Sequence, residues 1–266
     1  MQSITSDQNP RLKKAMRLHE SRGRRQQQRI IIFGENEIRQ ALRAGTKIDE
    51  IFVLDSVQSD SDNDVLEVAG KDVAILTLPD QLFKKLSFGD RHGSLVAVAQ
   101  RPDTSLSNIN LKPNSLCVVL EAIEKPGNIG AVFRSADAAG VDAILLADVK
   151  CDAFHPNAIR ASLGTVFSIP CATASNKAIQ DFLREQGIQI ATAKVDAKTN
   201  YFDLDMYQGT ALVFGSEHAG LSDAWNDQVT DVTIPMAGSA DSLNISASAA
   251  VMMFEAQRQR TAKRNK

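Results

Sequence analysis

Short apolar runs alternate with helical patterns through the second half of the chain, and this alternation limits the folds that it can form. The apolar runs predict strands at residues 116–120, 144–146, 166–169, 188–193 and 211–214. One helical pattern follows Asn128 and stops at Gly140, and a last helix is expected over about residues 246–259. Strands that alternate with helices favour an α/β fold with a largely parallel sheet covered on both faces.

The first hundred residues carry a shorter alternation of the same kind. It predicts strands at residues 30–33, 51–54, 73–76 and 95–98, and helices around residues 38–42 and 65–68. A polar, proline-bearing segment over residues 101–114 then breaks the periodicity, as an interdomain linker does. The 266 residues, of which 43% are apolar, are enough for two cores. We therefore expect α/β domains at residues 1–100 and 115–266, joined by the linker 101–114.

Basic residues are concentrated at the start of the chain, although the net charge is only -2. Eight lysines and arginines in the first 29 residues face only Asp7 and Glu20. Residues 7–28 favour helix, with an interruption expected at Gly23. Such an arm suits a polyanion, although a solvated helix face has the same composition. The RNA-binding candidates in it are Arg11, Lys13, Arg22, Arg24 and Arg25.

The cysteines and histidines give little sign of a disulfide framework or a metal site. The cysteines are Cys117, Cys151 and Cys171, and the histidines are His19, His92, His155 and His218. The cysteines are too few and too scattered for a framework, which fits a reducing cytosol. The histidines lack ligand spacing, so no metal is expected. Because no apolar run approaches the roughly 20 residues that span a bilayer, a cytoplasmic protein is expected.

The first of three Gly-rich turns, residues 125–130 (KPGNIG), links a predicted strand to a predicted helix. Asn128 is well placed as the N-cap of that helix, which is a purely structural role. Arg134 follows in a stretch otherwise made of Ala, Val, Phe and Ser. Arginine is seldom buried without a partner, and its planar fork suits a phosphate. Arg134 is therefore a candidate contact for an RNA backbone.

The second turn, residues 212–222 (LVFGSEHAGLS), has the glycine spacing of a phosphate-binding loop at Gly215 and Gly220. Leu221 stands where such a loop needs lysine, and Glu217 would repel phosphates. A nucleoside without phosphates fits better. S-adenosylmethionine is one, and it also carries a cationic sulfonium.

The third turn, residues 234–238 (IPMAG), runs into residues 242–246 (SLNIS) just before the last helix. Ser242, Asn244 and Ser246 are each able to cap that helix, but only one residue can occupy the N-cap position. The surplus polar side chains indicate ligand contacts.

In this order, the three turns resemble the signature motifs of the TrmH-type (SpoU) branch of the SPOUT methyltransferases. Members of that branch place a methyl group from S-adenosylmethionine on RNA ribose. The resemblance covers residues from about 115 to 260. It implies a SPOUT α/β-knot domain: a parallel sheet, a C-terminal trefoil knot that holds the cofactor, and a homodimer. By motif matching, the catalytic candidates are Arg134, Asn128, Glu217, Ser242 and Asn244. The cofactor-binding candidates are Gly215, Ile234, Leu243, Leu212, Met236 and Gly238.

Residues 3–99 resemble, less strongly, the L30e-like α/β substrate-binding domain that precedes many members of the family. Residues 4–13 (ITSDQNPRLK) look like its opening. The order Gly34-Glu35 departs from the Glu-Gly that relatives commonly show after the strand. A separate RNA-reading domain favours ribosomal RNA over transfer RNA as the partner.

The expected activity is S-adenosylmethionine-dependent methylation of a ribose 2'-hydroxyl. Such a hydroxyl is a poor nucleophile, so the site must orient it and stabilise the developing alkoxide. Because a guanidinium has a pKa above about 12, Arg134 suits a phosphate clamp or an alkoxide stabiliser better than a base. The resemblance also leaves open that Arg134 activates the hydroxyl after handing a proton to the phosphate. Three alternatives stay open: a non-catalytic RNA-binding or ribosome-assembly factor, a transfer RNA 2'-O-methyltransferase, and methylation of a base.

Overall fold

The computed structural model describes residues 2–56, 60–87, 93–217 and 219–264; His92 and His218 lie outside these ranges. The chain forms two compact units. The first comprises the residues up to Pro102 and the segment Asp152–Ser168, and the second comprises Asp103–Cys151 and the residues from Ile169 onward. The chain therefore passes between the units three times, at residues 102–103, 151–152 and 168–169.

The elements of the first hundred residues are β1 (Gln2–Ser3), α1 (Pro10–Met16), α2 (Ser21–Gln27), β2 (Arg29–Phe33), α3 (Glu35–Arg43), β3 (Ile48–Leu54), α4 (Asp60–Ala69), β4 (Ala74–Leu78), α5 (Asp80–Leu86) and β5 (Leu95–Gln100). The later elements are β6 (Leu116–Glu121), α6 (Pro126–Ala139), β7 (Ala143–Ala147), α7 (Pro156–Ala161), β8 (Cys171–Ala174), α8 (Asn176–Glu185), β9 (Gln189–Ala193), β10 (Thr199–Asn200), β11 (Thr210–Phe214), β12 (Thr230–Thr233) and α9 (Ile245–Arg264).

The first unit is built on a mixed five-stranded sheet in the order β1-β4-β3-β5-β2. Strands β1, β4 and β3 run parallel, and β5 is antiparallel to both β3 and β2. The apolar residues of α1 and α5 pack on the sheet, and the buried core includes Leu12, Leu18, Ile31, Phe52 and Phe83. This unit is the small α/β fold that the alternation predicts.

The second unit is built on a seven-stranded sheet in the order β10-β12-β9-β11-β6-β7-β8. All of its pairings are parallel. Strands β6, β7 and β11 are buried along their whole length, as strands covered on both faces must be. The predicted α/β class with a parallel sheet is confirmed. Because the strands are parallel, their carboxyl ends meet at one edge, which is where open α/β sheets bind ligands.

The longest described helix, α9, packs against α6 and also contacts β11. Helix α6 ends at Gly140, whose φ of 70° is the left-handed conformation that glycine adopts at helix ends, as predicted. Among the described residues, no helix combines the length and the apolarity that a membrane span requires.

The predicted strand at residues 166–169 is wrong. Thr165–Phe167 forms a 3-10 turn instead, and the next strand is β8. The hydroxyl of Ser162 accepts the backbone N–H groups of Gly164 and Val166, which fixes the turn. The turn belongs to the first unit, where the Phe167 ring stacks on Phe154 at a centroid distance of 5.9 Å. The apolar run is therefore explained by packing of a turn.

The predicted interruption at Gly23 is also wrong, because Gly23 lies inside α2. The break in the basic segment comes earlier, at the 3-10 turn Arg17–His19 and the extended residue Glu20. A Cβ on Gly23 would lie 1.8 Å from the carbonyl oxygen of Arg17. Glycine is needed here because α2 packs directly on the backbone of that turn.

Candidate active site

A cavity of about 510 Å³ lies in the second unit, at the carboxyl ends of β9, β11 and β12. Seven residues that the motifs nominated line it: Gly215, Glu217, Ile234, Met236, Ser242, Leu243 and Asn244. The volume is in the range of sites for small ligands, roughly 300–1,000 Å³. Residues of the second and third turns, although separated in sequence, therefore enclose one space.

The second turn folds back on itself beside this cavity. Ser216 and Gly220 exchange two backbone hydrogen bonds of 3.0 Å, and the Ser216 hydroxyl accepts the N–H of Ala219 at 3.1 Å. Gly220 has a φ of 66°, the left-handed conformation that glycine tolerates. Leu221, at the position where a phosphate loop has lysine, packs against the core instead. We call the described residues 215–217 and 219–222 the cofactor loop.

The carboxylate of Glu217 joins the three turns. Its Oε1 accepts the side-chain amide of Asn128, from the first turn, and that of Asn244, from the third, the latter at 3.0 Å. Its Oε2 accepts the ammonium of Lys125 at 2.5 Å. The Glu217 side chain is 22% exposed. A partly buried carboxylate with three donors is held in one orientation at the cavity.

Asn244 has two roles at once. Its Oδ1 accepts the backbone N–H of Ser246 at 2.9 Å and the Ser246 hydroxyl at 2.7 Å, so it caps α9. Its amide group donates to Glu217. Ser242 lines the cavity and precedes the cap position. Of the three capping candidates in this turn, Asn244 therefore occupies the N-cap.

The predicted N-cap role of Asn128 is wrong. Helix α6 starts at Pro126, with Lys125 in the cap position and no side-chain capping bond. Proline suits the first helical position because it has no N–H to satisfy. Asn128 is therefore inside the first turn of α6, and its side chain is used on Glu217.

Four of the predicted catalytic and cofactor-binding residues are not among the described residues that line the cavity: Asn128, whose amide donates to Glu217, and Arg134, Leu212 and Gly238. Arg134 is exposed on α6. Leu212 is fully buried within β11, so it packs in the core. Gly238 is exposed, and a Cβ added to it would meet nothing within 4 Å. The motif region is thus broader than the set of residues that surround this cavity in one chain.

Other lining residues were not nominated from the sequence. They include Lys125, together with Phe214 at the end of β11 and Lys194 and Val195 just after β9. The signal that identifies the last three is the parallel pairing of β9 with β11, which brings the two strand ends together. In the described part of the chain, no three His, Cys, Asp or Glu side chains come close enough to form a metal site.

The structure corrects the role of Arg24 in the basic arm. Its side chain is fully buried in the first unit, where it donates to the carbonyl oxygens of Leu18 and His19 and to Asp152 at 2.8 Å. A buried guanidinium cannot contact RNA, so its role is structural. Arg22 and Arg25, on the same helix, are exposed. Arg11 pairs with Glu50 at 2.8 Å, and Lys13 donates to Gln8.

Asp152 is the partner that makes burial of Arg24 possible. Its carboxylate also pairs with Arg101 at 3.0 Å. Burial alone would raise the pKa of Asp152, but the hydrogen bonds from Arg101 and Arg24 outweigh it and the pKa is lowered. The Arg101 guanidinium in turn lies 5.6 Å from the Phe154 ring centroid. These contacts fasten the start of the segment Asp152–Ser168 within the first unit.

Comparison with known proteins places this chain among the RNA methyltransferases. Residues 115–254 match the model of the SpoU rRNA Methylase family, and residues 1–110 match that of the thiostrepton-resistance methylase N terminus. The chain is 28% identical to the 23S rRNA (guanosine(2553)-2'-O)-methyltransferase RlmP of Bacillus subtilis, over 96% of this chain and 98% of RlmP.

Solved structures agree. A crystal structure described as an RNA 2'-O ribose methyltransferase is 38% identical, with a TM-score of 0.85 over 97% of this chain and 99% of that one. The SpoU methyltransferase AviRb from Streptomyces viridochromogenes, in complex with the cofactor AdoMet, is 28% identical with a TM-score of 0.89 over 96% and 99% of the two chains. The chain belongs to the SpoU rRNA methylase family. The predicted family and the predicted enzyme class, an RNA methyltransferase, are confirmed.

Proposed function

We propose that this protein transfers a methyl group from S-adenosylmethionine to a ribose 2'-hydroxyl of ribosomal RNA. The observation that carries the proposal is the Glu217 carboxylate, on which donors from the first and third turns converge beside the cavity. The relative RlmP is named for this reaction on 23S rRNA, and the AviRb structure contains the cofactor.

The residues around the cavity fit S-adenosylmethionine. Ile234, Met236 and Leu243 supply apolar surface for an adenine ring, and Glu217 supplies negative charge for a sulfonium. The second turn lacks the lysine that a phosphate ligand needs. When bound, S-adenosylmethionine supplies the electrophilic methyl group. The protein's own part is to hold Glu217, through Lys125, Asn128 and Asn244, in a fixed position beside the cofactor site.

Arg134 is proposed to act on the RNA. Its guanidinium is exposed and has five donors, so it suits a phosphate next to the reacting ribose and an oxygen on which negative charge develops. Activation of the hydroxyl after a proton transfer from Arg134 to that phosphate is the alternative chemistry for the same residue.

We further propose a homodimer. Arg134 lies on α6 and is not among the described residues that line the cavity. A second copy of the chain is therefore a source of the arginine that methyl transfer at each cavity requires. Helix α9, which packs against α6, presents Phe254 with 45% of its surface exposed. Phe254 is an apolar side chain that such an interface would cover.

Residues 1–100, with which the segment Asp152–Ser168 forms one compact unit, are proposed to be the RNA-binding domain, joined by the linker 101–114 to the methyltransferase domain 115–266. The match to the thiostrepton-resistance methylase N terminus and the exposed Arg22 and Arg25 support this assignment. The proposed location is the cytoplasm, where the scattered cysteines suit a reducing environment and ribosomal RNA is available.

The test is transfer of tritiated methyl from S-adenosylmethionine to ribosomal and transfer RNA from a strain that lacks this gene, with nuclease mapping of the product. Label in one alkali-resistant dinucleotide of ribosomal RNA supports the proposal. Label in transfer RNA or in a base overturns the substrate assignment. Failure to bind the cofactor, measured by calorimetry, would favour a non-catalytic RNA-binding factor.

Two variants assign the residues. Arg134→Ala is expected to abolish transfer and to keep the cofactor affinity, whereas Glu217→Ala is expected to lower both. Glu185→Gln changes an exposed carboxylate at the end of α8 and is the control. Full activity of Arg134→Ala would contradict the role given to Arg134.

A further inference from the structure

A second carboxylate, Glu121, is almost completely buried at the carboxyl end of β6, where it is 2% exposed. It accepts three hydrogen bonds. Its Oε2 accepts the backbone N–H of Ser222 at 2.9 Å, and its Oε1 accepts the Ser222 hydroxyl at 2.5 Å and the side-chain amide of Asn176 at 2.5 Å. A buried charge is tolerated only with such compensation.

The amide of Asn176 is itself held in one orientation. The Oδ1 atom of Asn176 accepts the indole N–H of Trp225 at 3.2 Å, and the backbone N–H of Asn176 donates to Asp148 at 3.0 Å. Trp225 is fully buried and is the one tryptophan of the chain. Because Trp225 fixes the oxygen of the amide, the NH₂ group of Asn176 must face Glu121.

Glu121 lies beside both ends of the cofactor loop. In the parallel register of β6 and β11, Leu120 is opposite Phe214, so Glu121 follows alongside Gly215, the first residue of the loop. Ser222, which Glu121 binds twice, is the last. Glu217 lies between these two ends in the chain, within the turn that the backbone pair Ser216–Gly220 closes.

We propose that Glu121 is a positioning residue of the cofactor site. Its carboxylate anchors Ser222 and so keeps the cofactor loop closed, with Glu217 in reach of Lys125, Asn128 and Asn244. Asn176 and Trp225 orient the carboxylate. The functional consequence rests on the proposed function, because it requires that this cavity binds S-adenosylmethionine.

A carboxylate is needed because all of its partners donate. Glu121→Gln preserves size but replaces one acceptor oxygen with an NH₂ group. That group would face either the N–H of Ser222 or the NH₂ of Asn176, and neither can accept a hydrogen bond. The serine hydroxyl alone is able to rotate. Glu121→Gln is therefore expected to break the hydrogen bond to either the Ser222 N–H or the Asn176 amide, without leaving a cavity in the core.

The first test is hydrogen exchange of the cofactor loop in the full-length protein. Glu121→Gln is expected to speed exchange of the amides of residues 215–217 and 219–222. The matched control is Asp142→Ala, which removes a 2.7 Å hydrogen bond to the backbone of Leu116 at the opposite end of the same strand. This control also weakens β6, but it should leave exchange in the loop unchanged. Unchanged exchange in Glu121→Gln, or an equal increase in both variants, would overturn the proposal.

The second test is cofactor binding and kinetics. Glu121→Gln is expected to raise the Kd and the KM for S-adenosylmethionine about tenfold, the effect of removing one charge-assisted hydrogen bond on an equilibrium. The KM for RNA should stay as in the wild type, and the emission of Trp225 should change in this variant but not in Asp142→Ala. An unchanged Kd with faster loop exchange would overturn the role of Glu121 in the site and leave it an anchor of the loop alone. If the wild-type protein itself does not bind S-adenosylmethionine, the proposed function fails, and the exchange result still decides whether Glu121 anchors the loop.

Discussion

Gly215 and Gly220 touch so closely that a Cβ on Gly215 would lie 2.2 Å from the carbonyl carbon and oxygen of Gly220. Real Cβ contacts are never this short, and both obstructing atoms belong to the backbone, which cannot rotate away. The closure of the cofactor loop therefore depends on the missing side chain at Gly215.

Gly215→Ala should force the loop open and weaken cofactor binding by at least about tenfold, since the backbone bonds between Ser216 and Gly220 must break or lengthen. Calorimetric titration with S-adenosylmethionine measures this. The control is Gly93→Ala, at an exposed glycine of the first unit where an added Cβ would meet no atom closer than 4.0 Å. Wild-type affinity in Gly215→Ala would show that the loop accommodates the methyl group and that the contact is not essential.

The pairing of Arg24 with Asp152 predicts a large effect on stability. Asp152→Ala leaves a fully buried guanidinium without its carboxylate, which typically costs about 3–5 kcal/mol in the free energy of unfolding. Denaturation in urea measures it. Asp7→Ala is the control, because the ion pair of Asp7 with Lys85 is exposed and should contribute little. Similar stabilities of the two variants would mean that Arg24 finds another partner.

Much of this architecture could be predicted from the sequence, because the spacing of apolar residues indicates which face of a helix or strand is buried. Most of the predicted strands formed, including those that became β6 and β11. The segment 166–169 failed because an apolar run of four residues is equally compatible with a packed turn. The burial of Arg24 could not be foreseen, since its partner Asp152 lies 128 residues away in the chain.

The same holds for the site, where the residue types could be predicted from the sequence but their contacts could not. The glycines and polar residues of the turns were identified by type and spacing, and seven nominated residues do line one cavity. The sequence alone does not show which partner each side chain contacts. Asn128 is chemically suited to cap a helix, but helix α6 starts earlier, at Pro126. The side-chain amide of Asn128 donates to Glu217 instead. Capping preferences are local, whereas the contact with Glu217 depends on the order of strands in the sheet.

Stability should depend on pH through Asp152. Its pKa is lowered from the ordinary value of 3.8 in the folded protein, so the folded state binds this proton less readily than the unfolded chain does. The stabilisation is therefore fully present above about pH 4–5 and is lost as the pH falls through the lowered pKa. The difference in unfolding free energy between the wild type and Asp152→Asn should shrink over that acidic range. A constant difference down to about pH 2 would contradict the assignment of the lowered pKa to this carboxylate.

The basic arm yields a prediction that separates RNA binding from folding. Arg22 and Arg25 are exposed on α2, while Arg24 on the same helix is buried. If Arg22 and Arg25 bind phosphates, the double variant Arg22→Ala/Arg25→Ala should weaken RNA binding without changing thermal stability. The slope of log K against log salt should fall by roughly 0.7–0.9 for each phosphate that is no longer neutralised.

Lys71→Ala removes an exposed charge elsewhere in the first unit and should leave the slope unaltered. Arg24→Ala should instead lower the melting temperature and leave the salt slope unchanged. It removes the buried guanidinium that donates to Asp152 and to two backbone carbonyls. An unchanged salt slope in the double variant would mean that RNA docks on another face of this unit.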